Sequence, residues 1–133
     1  MTGGRDLQEL LATMEPTLRD GAYVFATVSG TVVPAGIDPI GTFREAEGLT
    51  LILPAAEAAR AGLDASPPMR LITLSVHSSL EAVGLTAAFA TELARHGISA
   101  NVVAGYYHDH IFIGAADAER AVAALRMLSM RHR

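Results

Sequence analysis

The side chains with the clearest chemical potential lie in the segment GYYHDHIFIG, residues 105–114. His108, Asp109 and His110 place two imidazoles and a carboxylate side by side, a combination suited to metal ligation or proton transfer. Zinc needs several protein ligands, however, and the sequence has no second cluster at ligand spacing. The apolar pattern on both sides also predicts a chain reversal, through a loop of about three to five residues centred on 107–109. A hairpin tip, either solvated or lining a neighbouring effector pocket, is therefore favoured over a metal site.

A second candidate for chemistry is His77-Ser78-Ser79, where a potential base adjoins two hydroxyls. Adjacency in the sequence does not create the geometry that a base and a nucleophile need. The sequence contains no nucleophile elbow, no P-loop and no dinucleotide-binding glycine motif. Glu45 and Glu47 flank a predicted turn and are better explained as solvated charges. We therefore expect no catalytic residue and no cofactor.

Composition narrows the class of protein further. The chain has 133 residues, of which half are hydrophobic, and a net charge of −4. This length suits one domain or two small ones that share a core, and the negative charge argues against nucleic-acid binding. Without cysteine there is neither a disulfide nor a thiolate metal site. Because the N-terminus lacks a secretory pattern and no apolar run approaches the ~20 residues of a membrane span, we expect a cytoplasmic protein without membrane contact.

Hydrophobic spacing and turn residues predict the elements of the first half. A capped helix begins after Asp6 and ends before Pro16. The next elements are a strand at 23–28, a loop at 29–39, and two strands at roughly 40–45 and 49–53 around a glycine turn. A short helix then runs from Pro54 to Gly62.

The second half alternates in the same way. Strand 69–77 is followed by a helix at 85–96, a strand at 98–106, its hairpin partner at 110–113 and a final helix from Asp117. This β-α-β-β-α order predicts an α+β fold of two ferredoxin-like modules, each a mainly antiparallel sheet with helices on one face. The Pro67-Pro68 linker divides them into residues 1–66 and 67–133.

The segment HSSLEAVGL, residues 77–85, has two interpretations. Ser78 and Glu81 fit a capping box, which would begin the helix at 79 and leave Gly84 inside it at a cost of ~1 kcal/mol. Alternatively, 77–84 is a loop, the helix begins at Leu85, and glycine supplies unusual dihedrals or a close approach to a ligand. We favour the loop, because a glycine in the first turns otherwise needs a reason.

If the loop interpretation holds, the start of this helix can bind a carboxylate. Unpaired N–H groups and the helix dipole attract an anion there without any arginine. The ammonium group of an amino acid would then need an acceptor such as Glu81, Asp109 or a loop carbonyl, and Asn101 could bond either group. The competing explanation is an ordinary capped helix start, which leaves both possibilities open.

Residues 72–114, ITLSVHSSLEAVGLTAAFATELARHGISANVVAGYYHDHIFIG, resemble an ACT domain in their order of strand, glycine-ended loop, helix, HGIS break and hairpin. The upstream TFREAEGLTLILP, residues 42–54, is similar to the N-terminal module of small bacterial tandem-ACT proteins. These in turn are similar to CASTOR-type amino-acid sensors and to aspartokinase regulatory regions.

The resemblance implies a non-catalytic regulator that binds a small effector, usually an amino acid, at an interface between ACT modules. A pocket at such a junction suits a homodimer or higher oligomer, because open sheet edges and an exposed polar face need a partner. The site expected from loop, helix start and following strand consists of His77, Ser78, Ser79, Leu80, Glu81, Val83, Gly84, Leu85, Ile98, Asn101 and Val102.

Two departures from the ACT pattern stand out. Only Met130–Arg133 remain after the last helix, where a fourth strand is expected, and the first half has no room for a helix between its first two strands. Each half is incomplete unless the halves or a partner complete one another. The alternative function is therefore a ligand-free interaction module that assembles through its sheet edges.

Overall fold

The computed structural model describes residues 6–76 and 84–133. They form two compact units, one made of the described residues up to Asp20 together with those from Arg70 onward, and the other of Gly21–Met69. Both contain antiparallel strands and helices, which confirms the predicted α+β class.

The elements are α1 (Leu7–Thr13), β1 (Glu15–Leu18), β2 (Tyr23–Val28), β3 (Gly41–Glu45), β4 (Gly48–Pro54), α2 (Ala55–Arg60), β5 (Asp64–Ala65), β6 (Met69–Ser75), α3 (Leu85–Arg95), β7 (Ala100–Ala104), β8 (Asp109–Gly114), a 3-10 turn (Ala115–Asp117) and α4 (Ala118–Met130). The predicted boundary between the two ACT-like modules, after residue 66, stays a prediction. The compact units are divided differently, because the residues up to Asp20 belong with the second half.

The larger unit has the strand order β1-β6-β8-β7. Its core consists of the apolar faces of α1, α3 and α4 and of alternate residues of β6 and β8. This arrangement is expected from the helical repeat of 3.6 residues and the strand repeat of two residues. The members buried most completely are Met14, Ile72, Leu74, Phe89, Leu93, Ile111, Ile113 and Leu125.

Strand β1 supplies the fourth strand that the second half lacks. It pairs antiparallel with β6, with Pro16 opposite Leu74 and Leu18 opposite Ile72. In the sequence, Pro16 predicts only the end of a helix, and no local pattern predicts this strand. Proline is tolerated because β1 is an edge strand, where a missing N–H breaks no internal ladder.

Two predicted helix ends are confirmed in detail. Gly97 follows α3 with φ 71°, its N–H donates to Ala94 O at 2.9 Å, and the N–H of Ile98 donates to Leu93 O at 3.0 Å. This pair of bonds is the Schellman motif, and both Leu93 and Ile98 belong to the buried core. Gly62 ends α2 with the same bonding pattern.

The smaller unit is a sheet of β3, β4 and β2, with the short β5 beside β2. Residues 29–40 form turns and bends, so no helix connects β2 to β3, as expected from their length. The β3–β4 hairpin turns at Ala46 and Glu47. At Gly48, the first residue of β4, a Cβ atom would lie 2.5 Å from the carbonyl oxygen of Val28. Glycine is required there because the backbones approach so closely.

Candidate functional site

Helix α3 begins at Leu85, as the loop interpretation of the preceding segment predicts. Gly84 is its N-cap and has φ 95° and ψ −15°, a left-handed conformation outside the helix. Ala88 N–H makes the first helical bond, to Gly84 O at 2.9 Å. The N–H groups of the first turn receive no cap from Gly84, because glycine has no side chain to accept from them.

Leu7 contacts this helix start, a neighbour that the sequence analysis did not identify. A Cβ atom at Gly84 would lie 3.2 Å from Leu7 Cδ2. Leu7 is the first residue of α1 and is half-buried against the core of the larger unit. The leading helix therefore closes one side of the α3 N-terminus, and a side chain at 84 would require Leu7 to shift by a few tenths of an ångström.

The other expected site residues divide by environment. Leu85 and Ile98 are buried in the core, and Val102 is half-buried against it. Asn101 is exposed on β7, where its Nδ2 donates a long 3.5 Å bond to Phe112 O. The remaining residues, His77, Ser78, Ser79, Leu80, Glu81 and Val83, lie outside the part of the chain that the structure describes.

The histidine-rich segment is a hairpin tip. Four residues, from Gly105 to His108, join β7 to β8, and Gly105 N–H donates to His108 O at 2.9 Å. Tyr106 and Tyr107 are exposed and stack edge to face with centroids 5.0 Å apart. Asp109 already belongs to β8, so the loop has the expected length but lies earlier in the chain. In residues 6–76 and 84–133, no group of three His, Asp or Glu side chains is placed to hold a metal ion.

The two titratable residues of β8 at this end respond oppositely to burial. Desolvation raises the pKa of the Asp109 carboxyl, against the lowering effect of His110 and His108. Desolvation also lowers the pKa of His110, helped by the charges of His108 and Arg19 and opposed by Asp109. Both groups are therefore shifted toward their neutral forms.

A buried carboxylate on α3 forms the centre of a charge cluster. Glu92 is 4% exposed and accepts from Arg131 Nη2 at 2.7 Å and Arg95 Nη1 at 3.4 Å, with His96 Nε2 at 3.2 Å. The hydrogen bond from Arg131 is the main cause that lowers the pKa of Glu92, against the effect of burial. The cluster ties α3 to the residue that follows α4.

No sequence pattern singles out Glu92 or the last residues of the chain. Arg133 Nε donates to Ala12 O at 3.3 Å, and His132 Nδ1 bonds with Leu128 O at 2.9 Å. A Glu beside Leu93 on a helix looks solvated in the sequence, because the arginine that pairs with it is 39 residues away.

Comparison with known proteins identifies the fold family. ACT domain models match residues 2–70 and 67–127, so the chain belongs to the ACT domain family and carries two such domains in tandem. Membership of this family supports a regulatory, ligand-binding role. The descriptions of the matching models name no catalytic family.

Solved structures agree with this assignment. The chain is 56% identical to a Vibrio cholerae protein of unknown function described as a possible transport protein, with TM-score 0.86 and coverage of 94% of this chain and 97% of that one. An Agrobacterium tumefaciens protein matches with TM-score 0.75 at 18% identity, covering 87% and 89%. The regulatory subunit of aspartate kinase from Thermus thermophilus matches with TM-score 0.65 at 12% identity, covering 85% and 95%. At these low identities the last two show the fold alone.

No curated protein matches the chain. Among the described residues, none of the helices combines the length and the apolar character that a bilayer crossing requires.

Proposed function

We propose that this protein is a non-catalytic regulator that binds a free amino acid beside the N-terminus of α3. The effector carboxylate bonds to the N–H groups of the first turn, which Gly84 does not cap, and residues 77–83, Gly84 and Asn101 complete the site. Leu85 and Ile98 act from the core beneath it, and Val102 lies beside it. The protein acts in the cytoplasm as a homo-oligomer, in which effector binding shifts the population between subunit or module arrangements.

The observation that carries this proposal is the left-handed Gly84 at the helix start. An ordinary N-cap is Ser, Thr, Asp or Asn, whose side chain satisfies the first-turn N–H groups. Glycine at this position leaves these donors without a cap from their own N-cap residue, and its conformation turns the chain sharply into the helix. This geometry suits an external carboxylate, which the helix dipole also attracts.

A second candidate function is assembly through the edge of β7 without an effector. It is favoured by Tyr106 and Tyr107, 80% and 76% exposed, and by Val103 on the strand itself. Within residues 6–76 and 84–133, β7 pairs only with β8, and an open edge with exposed aromatic side chains suits a protein partner.

Thermal unfolding in the presence of each of the twenty amino acids separates the two candidates. A ligand present at 100 times its Kd stabilises the protein by about 2.7 kcal/mol. We expect one amino acid, or a few related ones, to raise the melting temperature in proportion to the logarithm of concentration. A melting temperature that is the same with all twenty would contradict the proposal and favour the interaction module.

Two glycine variants then locate the site. Gly84→Ala places a methyl group in a left-handed conformation and against Leu7, whereas Gly97→Ala at the other end of α3 has the same backbone problem but nothing within 4 Å. Each left-handed alanine costs roughly 1–2 kcal/mol of stability. Because both variants share this loss of stability, the difference between them lies in effector binding. We expect Gly84→Ala to weaken effector binding and Gly97→Ala to leave it unchanged, as measured by calorimetric titration of the folded variants. Equal affinity in both variants would place the effector elsewhere.

A further inference from the structure

A polar cluster lies on the sheet face of the larger unit that points away from the core. Along β6, Ile72 and Leu74 enter the core, so Thr73 between them points to the opposite face. Thr73 is nevertheless only 6% exposed. A buried hydroxyl requires hydrogen-bond partners, and these partners define the cluster.

The side chains of Arg19 and His110 meet at this hydroxyl. Arg19 Nη1 donates to Thr73 Oγ1 at 3.3 Å, and His110 Nδ1 lies 3.1 Å from the same oxygen. The backbone of Arg19 is held on both sides, since its N–H donates to Leu71 O at 2.8 Å and its O accepts from Arg70 Nη2 at 3.0 Å. The guanidinium therefore extends from a fixed point of the chain.

The charges of this cluster are not balanced. No carboxylate of residues 6–76 and 84–133 lies within ion-pair distance of the Arg19 guanidinium. Its charge and that of His108 oppose protonation of His110, and Asp109 offsets this only in part. An arginine has five N–H donors in a planar fork, of which the hydroxyl of Thr73 takes one.

The imidazole adds a further donor. A hydroxyl that accepts from arginine can donate its single proton to His110 Nδ1, which leaves the ring proton of the neutral form on Nε2. A Cβ atom at Gly105 would lie 3.1 Å from that nitrogen, so the glycine keeps the space beside it free of a side chain. An anion that approaches His110 would stabilise the protonated form of the ring, which carries a full positive charge.

We propose that Arg19, Thr73 and His110 form an oxyanion-binding site, which takes the carboxylate or phosphate group of a small metabolite. Arg19 supplies the charge and a two-pronged donor, His110 supplies the second donor, and Thr73 fixes both side chains. This site is separate from the start of α3, and it does not depend on the function proposed above.

The test follows the titration of the histidine ring protons by NMR in the full-length protein. Sodium sulfate stands in for a phosphate group and sodium acetate for a carboxylate, with sodium chloride at matched ionic strength as the reference; His110→Gln assigns the resonance. We expect one of the two oxyanions to raise the pKa of His110 and to saturate, and the more effective one identifies the ligand chemistry. An identical titration in all three salts would overturn the proposal.

Matched arginine variants separate the site from general electrostatics. Arg19→Gln should weaken oxyanion binding at least tenfold and Arg19→Lys less, because lysine keeps the charge but loses the fork. Arg126→Gln removes the same charge from an exposed position of α4 and should leave binding unchanged. Equal weakening by Arg19→Gln and Arg126→Gln would show that only net charge matters and would refute the site. Since the amino-acid melting shift is measured separately, a failure here leaves the function proposed above untouched.

Discussion

Replacing Glu92 by Gln tests the role of the buried charge cluster. The substitution keeps the shape of the side chain but removes the charge that Arg131, Arg95 and His96 share. Stripping one partner from a fully buried ion pair costs about 3–5 kcal/mol, because the other charge stays desolvated. Here the side chains of Arg131, Arg95 and His96 are 46%, 69% and 43% exposed, so water can solvate them after the change. We therefore expect a loss near that of charged hydrogen bonds, roughly 1.5–3 kcal/mol.

Urea unfolding of the wild type, Glu92→Gln, Arg131→Gln and the double variant measures this loss and the coupling between the two residues. The control is Asp117→Asn, which removes an exposed pair with Arg120 at 2.8 Å and should cost less than about 1 kcal/mol. The reasoning would be wrong if Glu92→Gln and Asp117→Asn cost the same, or if the Glu92 and Arg131 effects were additive.

The cluster also sets a dependence on pH. The pKa of Glu92 is lowered on folding from its ordinary value of 4.5, so the unfolded chain binds more protons in the window below that value. Its contribution to stability is present above pH 4.5 and is lost as the pH falls through the lower, folded pKa. The Glu92→Gln variant should lack this part of the acid-induced loss in urea unfolding measured from pH 7 to pH 3.

Three further predictions concern other parts of the molecule. Met14→Ala should destabilise the larger unit by about 2–5 kcal/mol in urea unfolding, because Met14 is fully buried in its core; a loss below 1 kcal/mol would show that the leading segment is dispensable. Gly48→Ala should cost about 1–3 kcal/mol more than Gly30→Ala, because a Cβ at 48 meets a carbonyl oxygen at 2.5 Å and one at 30 meets nothing within 4 Å; equal melting temperatures would contradict this. The pKa of His110 is lowered from 6.5, so stability should fall as the pH drops below 6.5 toward the folded pKa, and His110→Gln should remove that slope.

Local patterns predict most elements because their causes lie within a few residues. Gly62 and Gly97 end helices through bonds to residues just before them, and the stripe of Leu85, Phe89 and Leu93 identifies the buried side of α3. Strand β1 could not be predicted from local sequence, because the strand with which it pairs lies far along the chain. A four-residue segment with Pro16 becomes a strand only when β6 offers an edge.

The candidate site was predictable only in part for the same reason. The glycine at 84 signals a special backbone by its type alone, and its left-handed conformation agrees with that signal. Leu7, which lies against it, is 77 positions away in the sequence and carries no local sign of that contact. The Arg19, Thr73 and His110 cluster likewise joins three strands or strand ends, so no spacing rule could find it.

The placement of β1 has a consequence for biosynthesis. A ribosome adds about 5–20 residues each second and emits the N-terminus first, yet the partner of β1 begins only at Met69. Helix α1 and strand β1 are made before the intervening segment emerges, and their apolar side chains have no core to join until the second half follows. Translation therefore produces Gly21–Met69 as an insertion inside an interrupted domain, and β1 can reach its place only after β6 has been made.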